Sequence, residues 1–126
     1  MSEAPIGIFD SGVGGLTVLA EIRKTLPNEN IVYLGDTANF PYGNKTQEDI
    51  IKFSTNNVKR LIKEGAKIIV IACGTATSQA IDTLKNEFDI PIIGIIEPTV
   101  QYIKQRGFSD VGVIATEGTI RSGAWE

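Results

Sequence analysis

The sequence contains no histidine, and cysteine, methionine and tryptophan occur once each in 126 residues. A single cysteine excludes an internal disulfide. Without histidine, a zinc site would have to be assembled from carboxylates and one thiolate, an unusual donor set, so no metal is expected. A thiol protease is excluded on the same ground, because its cysteine needs a histidine as base. Positive charge is also scarce. Lys and Arg number 12 against 15 Asp and Glu, for a net charge of -3, and the basic runs are no longer than Arg23-Lys24 and Lys59-Arg60. That is no footprint for nucleic acid. Long apolar runs are missing at the start: residues 6–9 are too few for a signal-peptide core or a membrane span, and Asp10 interrupts them. The expectation is a cytoplasmic protein with no membrane partner. No G-x-x-x-x-G-K-[ST] segment occurs, which removes Walker-type NTPases.

What is present is ordinary for a soluble globular domain with its own core: 42% hydrophobic and 21% charged residues. Five short apolar runs recur along the chain: residues 6–9, 31–35, 68–72, 92–96 and 111–115. Helical patterns separate them. Leu16, Leu19, Ile22 and Leu26 form one stripe ended by Pro27. Thr46-Gln47-Glu48-Asp49 has the form of a capping box, opening a second helix that runs to Gly65. Ala76, Ala80, Ile81 and Leu84 line a third helix, and a fourth is predicted over residues 99–106, stopped by Gly107. Near-continuous apolar strands alternating with helices predict an α/β three-layer sandwich, a parallel sheet of about four to five strands flanked by helices. The pattern calls for another helix after Thr119, where the chain ends.

The third run empties into Cys73-Gly74-Thr75-Ala76. A cysteine there stands at the carboxyl end of a parallel strand, where open α/β sheets bind ligands. It also lies near the free N–H groups of the next helix, which are expected to lower its pKa. The alternative role is a small buried hydrophobe. In a parallel sheet the same edge gathers Asp10-Ser11, Asp36 with Tyr42, Cys73 with Thr75, Glu97, and Thr116 with Thr119. Each has a structural alternative: Asp10 and Ser11 as caps of the first helix, Thr75 as cap of the third, Tyr42 as a loop anchor. Gly12-Val13-Gly14-Gly15-Leu16-Thr17 begins like a dinucleotide loop, yet Thr17 occupies the place of the third glycine, and Asp10 would crowd a pyrophosphate. A lone thiolate among a carboxylate, hydroxyls and helix N–H groups suits proton removal at carbon, with the donors stabilising the developing oxyanion.

Four motifs in order, Asp10-Ser11-Gly12-Val13-Gly14-Gly15-Leu16, Pro41-Tyr42-Gly43, Ala72-Cys73-Gly74-Thr75-Ala76 and Thr116-Glu117-Gly118-Thr119-Ile120-Arg121-Ser122, resemble the glutamate racemases of the cofactor-independent aspartate/glutamate racemase family. The resemblance implies interconversion of L- and D-glutamate without any cofactor, supplying D-glutamate for bacterial peptidoglycan. It implies two cysteines on opposite faces of the substrate's α-carbon, of which Cys73 matches the first. Asp10 and Ser11 match the pair that binds the amino group and assists the thiol. Tyr42 and Gly43 match a substrate-contacting pair, Thr75 a carboxylate-binding hydroxyl, and Thr116 and Thr119 less central pocket threonines.

Three departures accompany the match. Gly74 stands where the family usually has asparagine. The second half of the family, with its Cys-Thr-His, has no counterpart here. Residues 1–98 are read as an N-terminal racemase domain and 99–126 as the start of a second, truncated one. Three expectations follow: half of a racemase, a catalytically inactive amino-acid-binding or self-associating domain, or a minimal enzyme completed as a homo-oligomer. A preference for glutamate over aspartate is left open.

Overall fold

A computed structural model describes residues 3–126. Four strands form one sheet: β1 (Ile6–Asp10), β2 (Ile31–Gly35), β3 (Ile68–Ile71) and β4 (Ile92–Gly94). They lie in the order β2-β1-β3-β4 and every pairing is parallel, with Ile8 opposite both Tyr33 and Val70. Five helices accompany them: α1 (Leu16–Thr25), α2 (Gln47–Lys63), α3 (Gly74–Glu87), α4 (Ile96–Gln105) and α5 (Glu117–Arg121).

The two-residue period of the strands divides the core into two layers. Phe9, Ile69, Ile71 and Cys73 point to the face covered by α2 and α3, where they meet Val58, Leu61, Ala76, Ala80 and Leu84. Ile6, Ile8 and Ala72 point to the other face, toward Val18, Leu19 and Ile22 of α1. Ile8, Phe9, Ile69 and Ile71 are fully buried, and each such side chain contributes roughly 2 kcal/mol relative to an exposed one. The α1 layer is thinner. An apolar groove of about 410 Å³ remains open beside it, lined by residues that include Ile22, Val70, Ile93 and Pro98.

Local chemistry sets the helix limits. Thr46 Oγ1 accepts the Asp49 N–H at 3.1 Å, Glu48 and Asp49 sit in the first turn of α2, and Arg60 and Lys63 sit in the last. Acid at the start and base at the end both favour the helix dipole. Past the end of α2, Gly65 adopts φ +90°, a conformation that glycine takes without the Cβ penalty.

Two expectations about elements are corrected. Residues 111–115 form no strand: the segment is exposed and pairs with no other among the described residues. Apolar strand propensity needs a neighbouring edge to become a ladder, and α4 carries the chain away from β4 before that run begins. The fourth helix starts at Ile96, not residue 99, because β4 ends at Gly94 and Pro98 falls inside the first turn, where its missing N–H costs nothing.

Candidate active site

In this strand order, the chain leaves β1 toward β2 on one side and reaches β3 on the other. The crevice between the carboxyl ends of β1 and β3 is therefore the topological switch point of the sheet. Asp10 and Ser11 flank it from β1, and Cys73 flanks it from β3.

Cys73 is 7% exposed. It is also the N-cap of α3, its Sγ accepting the Ala76 N–H at 3.4 Å. Thr75, for which capping was the structural alternative, is the second residue of the helix. Ser11 Oγ stands 3.9 Å from the Cys73 sulfur. The expected lowering of the thiol's pKa is corrected in sign: burial pushes it up, the charge of Asp10 adds to that, and the Ala76 N–H and Ser11 pull the other way without prevailing. Desolvation of a nearly buried anion outweighs one sulfur hydrogen bond.

Asp10 is held by its own loop. Its Oδ2 accepts the N–H of Gly12 at 3.2 Å and of Gly15 at 3.1 Å. Those are the donors a dinucleotide phosphate would need, so the loop is built around a protein carboxylate instead. A Cβ at Gly15 would stand 2.7 Å from Asp10 Cβ and 2.9 Å from Ala72 Cβ, which accounts for the glycine.

A second cluster joins α3 to α5. Thr75 Oγ1 and Thr116 Oγ1 are 2.9 Å apart, Thr116 and Thr119 hydroxyls 2.8 Å, and Thr119 Oγ1 donates to Thr75 Oγ1 at 3.4 Å. Thr119 is buried, and Thr116 caps α5. Three hydroxyls in a triangle, each able to donate or accept, can turn their protons toward an anionic oxygen. Gly43 touches this cluster, since a Cβ there would meet Thr116 Cγ2 at 2.8 Å. Gln79 Nε2 donates to Gly118 O at 2.9 Å and ties α5 to α3.

Tyr42 is the loop anchor of the alternative reading. It is buried, its hydroxyl donates to Asp36 Oδ2 and accepts from Asn57 Nδ2 at 2.8 Å, and its ring packs on Phe53. Its phenol is thereby pushed far up by burial and then by Asp36. Asp36, also bonded to Asn39 Nδ2 at 3.0 Å, is committed to that anchor. Glu97 leaves the mouth altogether: it lies in the first turn of α4, in a groove with Thr77, Asp82 and Lys85. A cavity of about 600 Å³ opens between β2 and α2, contains Asp36 and Arg60, and holds neither Cys73 nor Asp10.

No sequence motif singles out Asn57, Gln79 or Tyr33. Asn57 and Gln79 are polar residues on the helix faces turned toward the site loops, a signal visible only once those faces are assigned.

The profile of Asp/Glu/Hydantoin racemases matches residues 6–126. The chain belongs to this family. Over 127 aligned residues it is 50% identical to the glutamate racemase of Corynebacterium diphtheriae, covering 100% of this chain and 48% of that protein. The Limosilactobacillus reuteri glutamate racemase is 43% identical over 99% of the chain and 47% of its own length. Among solved structures, glutamate racemase from Francisella tularensis in complex with D-glutamate superposes with a TM-score of 0.90 at 42% identity, covering 99% of this chain and 47% of that one. The chain thus spans about half the length of the curated relatives it matches. Within the family it is an α/β chain with a four-stranded parallel sheet, similar to a portion of proteins named glutamate racemases. No helix among the described residues is long and apolar enough to cross a membrane.

Proposed function

We propose that this chain supplies one face of a glutamate racemase site, in which Cys73 exchanges a proton with the substrate's α-carbon. The observation that carries the reading is the convergence at the β1/β3 switch point of a nearly buried thiol, the Ser11 hydroxyl 3.9 Å from it and the Asp10 carboxylate on its loop amides. A thiolate held against the α-carbon removes its proton, and the electron pair passes into the α-carboxylate as an enediolate. The clustered hydroxyls of Thr75, Thr116 and Thr119 are the donors assigned to a substrate carboxylate. Asp10 receives the ammonium group, whose charge offsets its own.

Inversion requires a second acid on the opposite face. The chain has one cysteine and no histidine, so that acid comes from outside these 126 residues, in a further domain or a second copy. On this reading, residues 1–98 form the Cys73-bearing domain and 99–126 lead into another. The product is D-glutamate for peptidoglycan, made in the cytoplasm without a cofactor.

The test is proton NMR of L- and D-glutamate with the protein in deuterated water, following the α-proton and optical rotation together, with Cys73→Ala as control. Loss of the α-proton from one enantiomer without inversion, abolished in the control, is the expected result. No exchange from either enantiomer would overturn the reading and leave an amino-acid-binding domain.

A further inference from the structure

Tyr33 lies mid-strand in β2 opposite Ile8, on the sheet face that meets α1. Packing alone would be served by phenylalanine. The hydroxyl, however, donates to Gly12 O at 2.8 Å, and it would stand 2.9 Å from a Cβ on Gly15. The glycine turn is therefore gripped twice. Asp10 Oδ2 takes its N–H groups at Gly12 and Gly15, and Tyr33 takes its carbonyl at Gly12. The grip determines where Asp10 points: with Oδ2 committed to the turn, a turn that slides carries the carboxylate with it.

We propose that Tyr33 is a positioning residue, its hydroxyl locking the Gly12–Gly15 turn so that the Asp10 carboxylate stays beside Cys73. The inference rests on the reading of Asp10 and Cys73 as proton-transfer machinery. Electrostatics agree with the placement, since the phenol of Tyr33 is raised by burial and then by the charges of Asp10 and Cys73. Asp10 at the end of β1, Ser11 just after it, Tyr33 of β2 and Tyr42 of the following loop are the titratable or hydroxyl groups that act on the thiol or feel its charge.

The test is the pH dependence of Cys73 alkylation by iodoacetamide, which needs no substrate. Asp10 raises the thiol's pKa, so freeing its carboxylate lowers the midpoint. Asp10→Asn is expected to lower it, and Tyr33→Phe to lower it in the same direction by roughly half a unit. In the Asp10→Asn background, Tyr33→Phe should add nothing, because the charge it positions is gone. In the NMR exchange assay Tyr33→Phe should slow α-proton loss about ten-fold through misplacement alone, with Tm within a few degrees of the parent. A tyrosine that merely packs would leave both the alkylation midpoint and the exchange rate in place.

An unchanged midpoint, or an equal shift in both backgrounds, overturns the proposal. Absence of exchange in the parent would defeat the racemase reading while the alkylation cycle still decides on Tyr33. Should Tyr33→Phe not fold, fluorine NMR of fluorotyrosine-labelled parent and Asp10→Asn reads the same coupling. The Tyr33 phenol must then titrate lower without Asp10, and an unmoved titration refutes the contact.

Discussion

Replacing Tyr42 by phenylalanine removes one oxygen and keeps the ring against Phe53. That oxygen donates to the Asp36 carboxylate and accepts from Asn57 Nδ2 at 2.8 Å, with Tyr42 and Asn57 themselves buried. A hydrogen bond to a charged acceptor contributes about 1.5–3 kcal/mol, and an orphaned buried donor such as Asn57 costs about 1–3 kcal/mol. Asp36 keeps Asn39 Nδ2 at 3.0 Å and is itself only half-buried, so part of its loss is recovered from water. A net destabilisation of about 2.5 kcal/mol follows. With an unfolding entropy of roughly 2.1 cal/mol/K per residue, this chain loses about 10 °C of Tm.

Differential scanning calorimetry reads that shift, with Tyr102→Phe on the exposed face of α4 as the control that should not move. The pH arm has a definite sign. The folded phenol of Tyr42 resists ionisation, whereas the unfolded one ionises near pH 10, so the unfolded state sheds its proton first and stability falls as pH rises above about 10. In Tyr42→Phe that alkaline loss shrinks. A Tm change below about 2 °C, together with an unaltered alkaline limb, would refute the view that this hydroxyl anchors the loop carrying Gly43.

Three further outcomes are expected. Cys73 should be alkylated slowly at neutral pH, with a midpoint above the free-thiol value of about 8.5, because burial and Asp10 both favour the protonated form; stopped-flow alkylation across pH 6–11 (roughly two units either side of that value) measures it, and a midpoint near 7 would show that the helix N–H groups win after all. Gly74→Asn should tighten glutamate binding several-fold in calorimetric titration, since a Cβ there meets only Ile95 Cδ1 at 3.7 Å and the new amide adds a donor beside Thr75; weaker binding would mean that the side chain fills the pocket. Gly43→Ala should loosen α5 by driving a Cβ to 2.8 Å from Thr116 Cγ2, lowering stability by about 1–3 kcal/mol and exposing residues 117–121 to faster amide exchange; unchanged protection there would rule out the contact.

The strands and helices that bury a face were legible because burial imposes a period. Residues 6–9 and 68–71 read as strands since both sheet faces are covered, and α2 read as a helix from its cap, its stripe and Gly65 together. Residues 111–115 carry the same apolar signature yet form no strand, because pairing depends on an available edge and no local pattern encodes one. The site divides in the same way. Asp10, Ser11, Cys73, Gly43, Thr75, Thr116 and Thr119 could be gathered from strand ends and motif order, and the fold brings them into two clusters that share the start of α3 through Cys73 and Thr75. Tyr33 and Asn57 could not, since a tyrosine in a strand and an asparagine in a helix have dozens of structural uses.

Those two unread residues explain why the site holds together in a chain with so few strong polar groups at its mouth. Asp10 would be free to turn toward water, and residues 36–45 would be an unsupported crossing from β2 to α2. Each is fixed by a group reaching from the scaffold: the Tyr33 phenol from the sheet to the Gly12 carbonyl, and the Asn57 amide from α2 to the Tyr42 phenol, which in turn donates to Asp36. Both phenols are pushed up by burial and then by neighbouring carboxylate charge, which favours the protonated form that donates. The thiol is thus framed by hydroxyls that keep their protons to donate, Tyr33 to the turn that holds Asp10 and Tyr42 to the loop that carries Gly43.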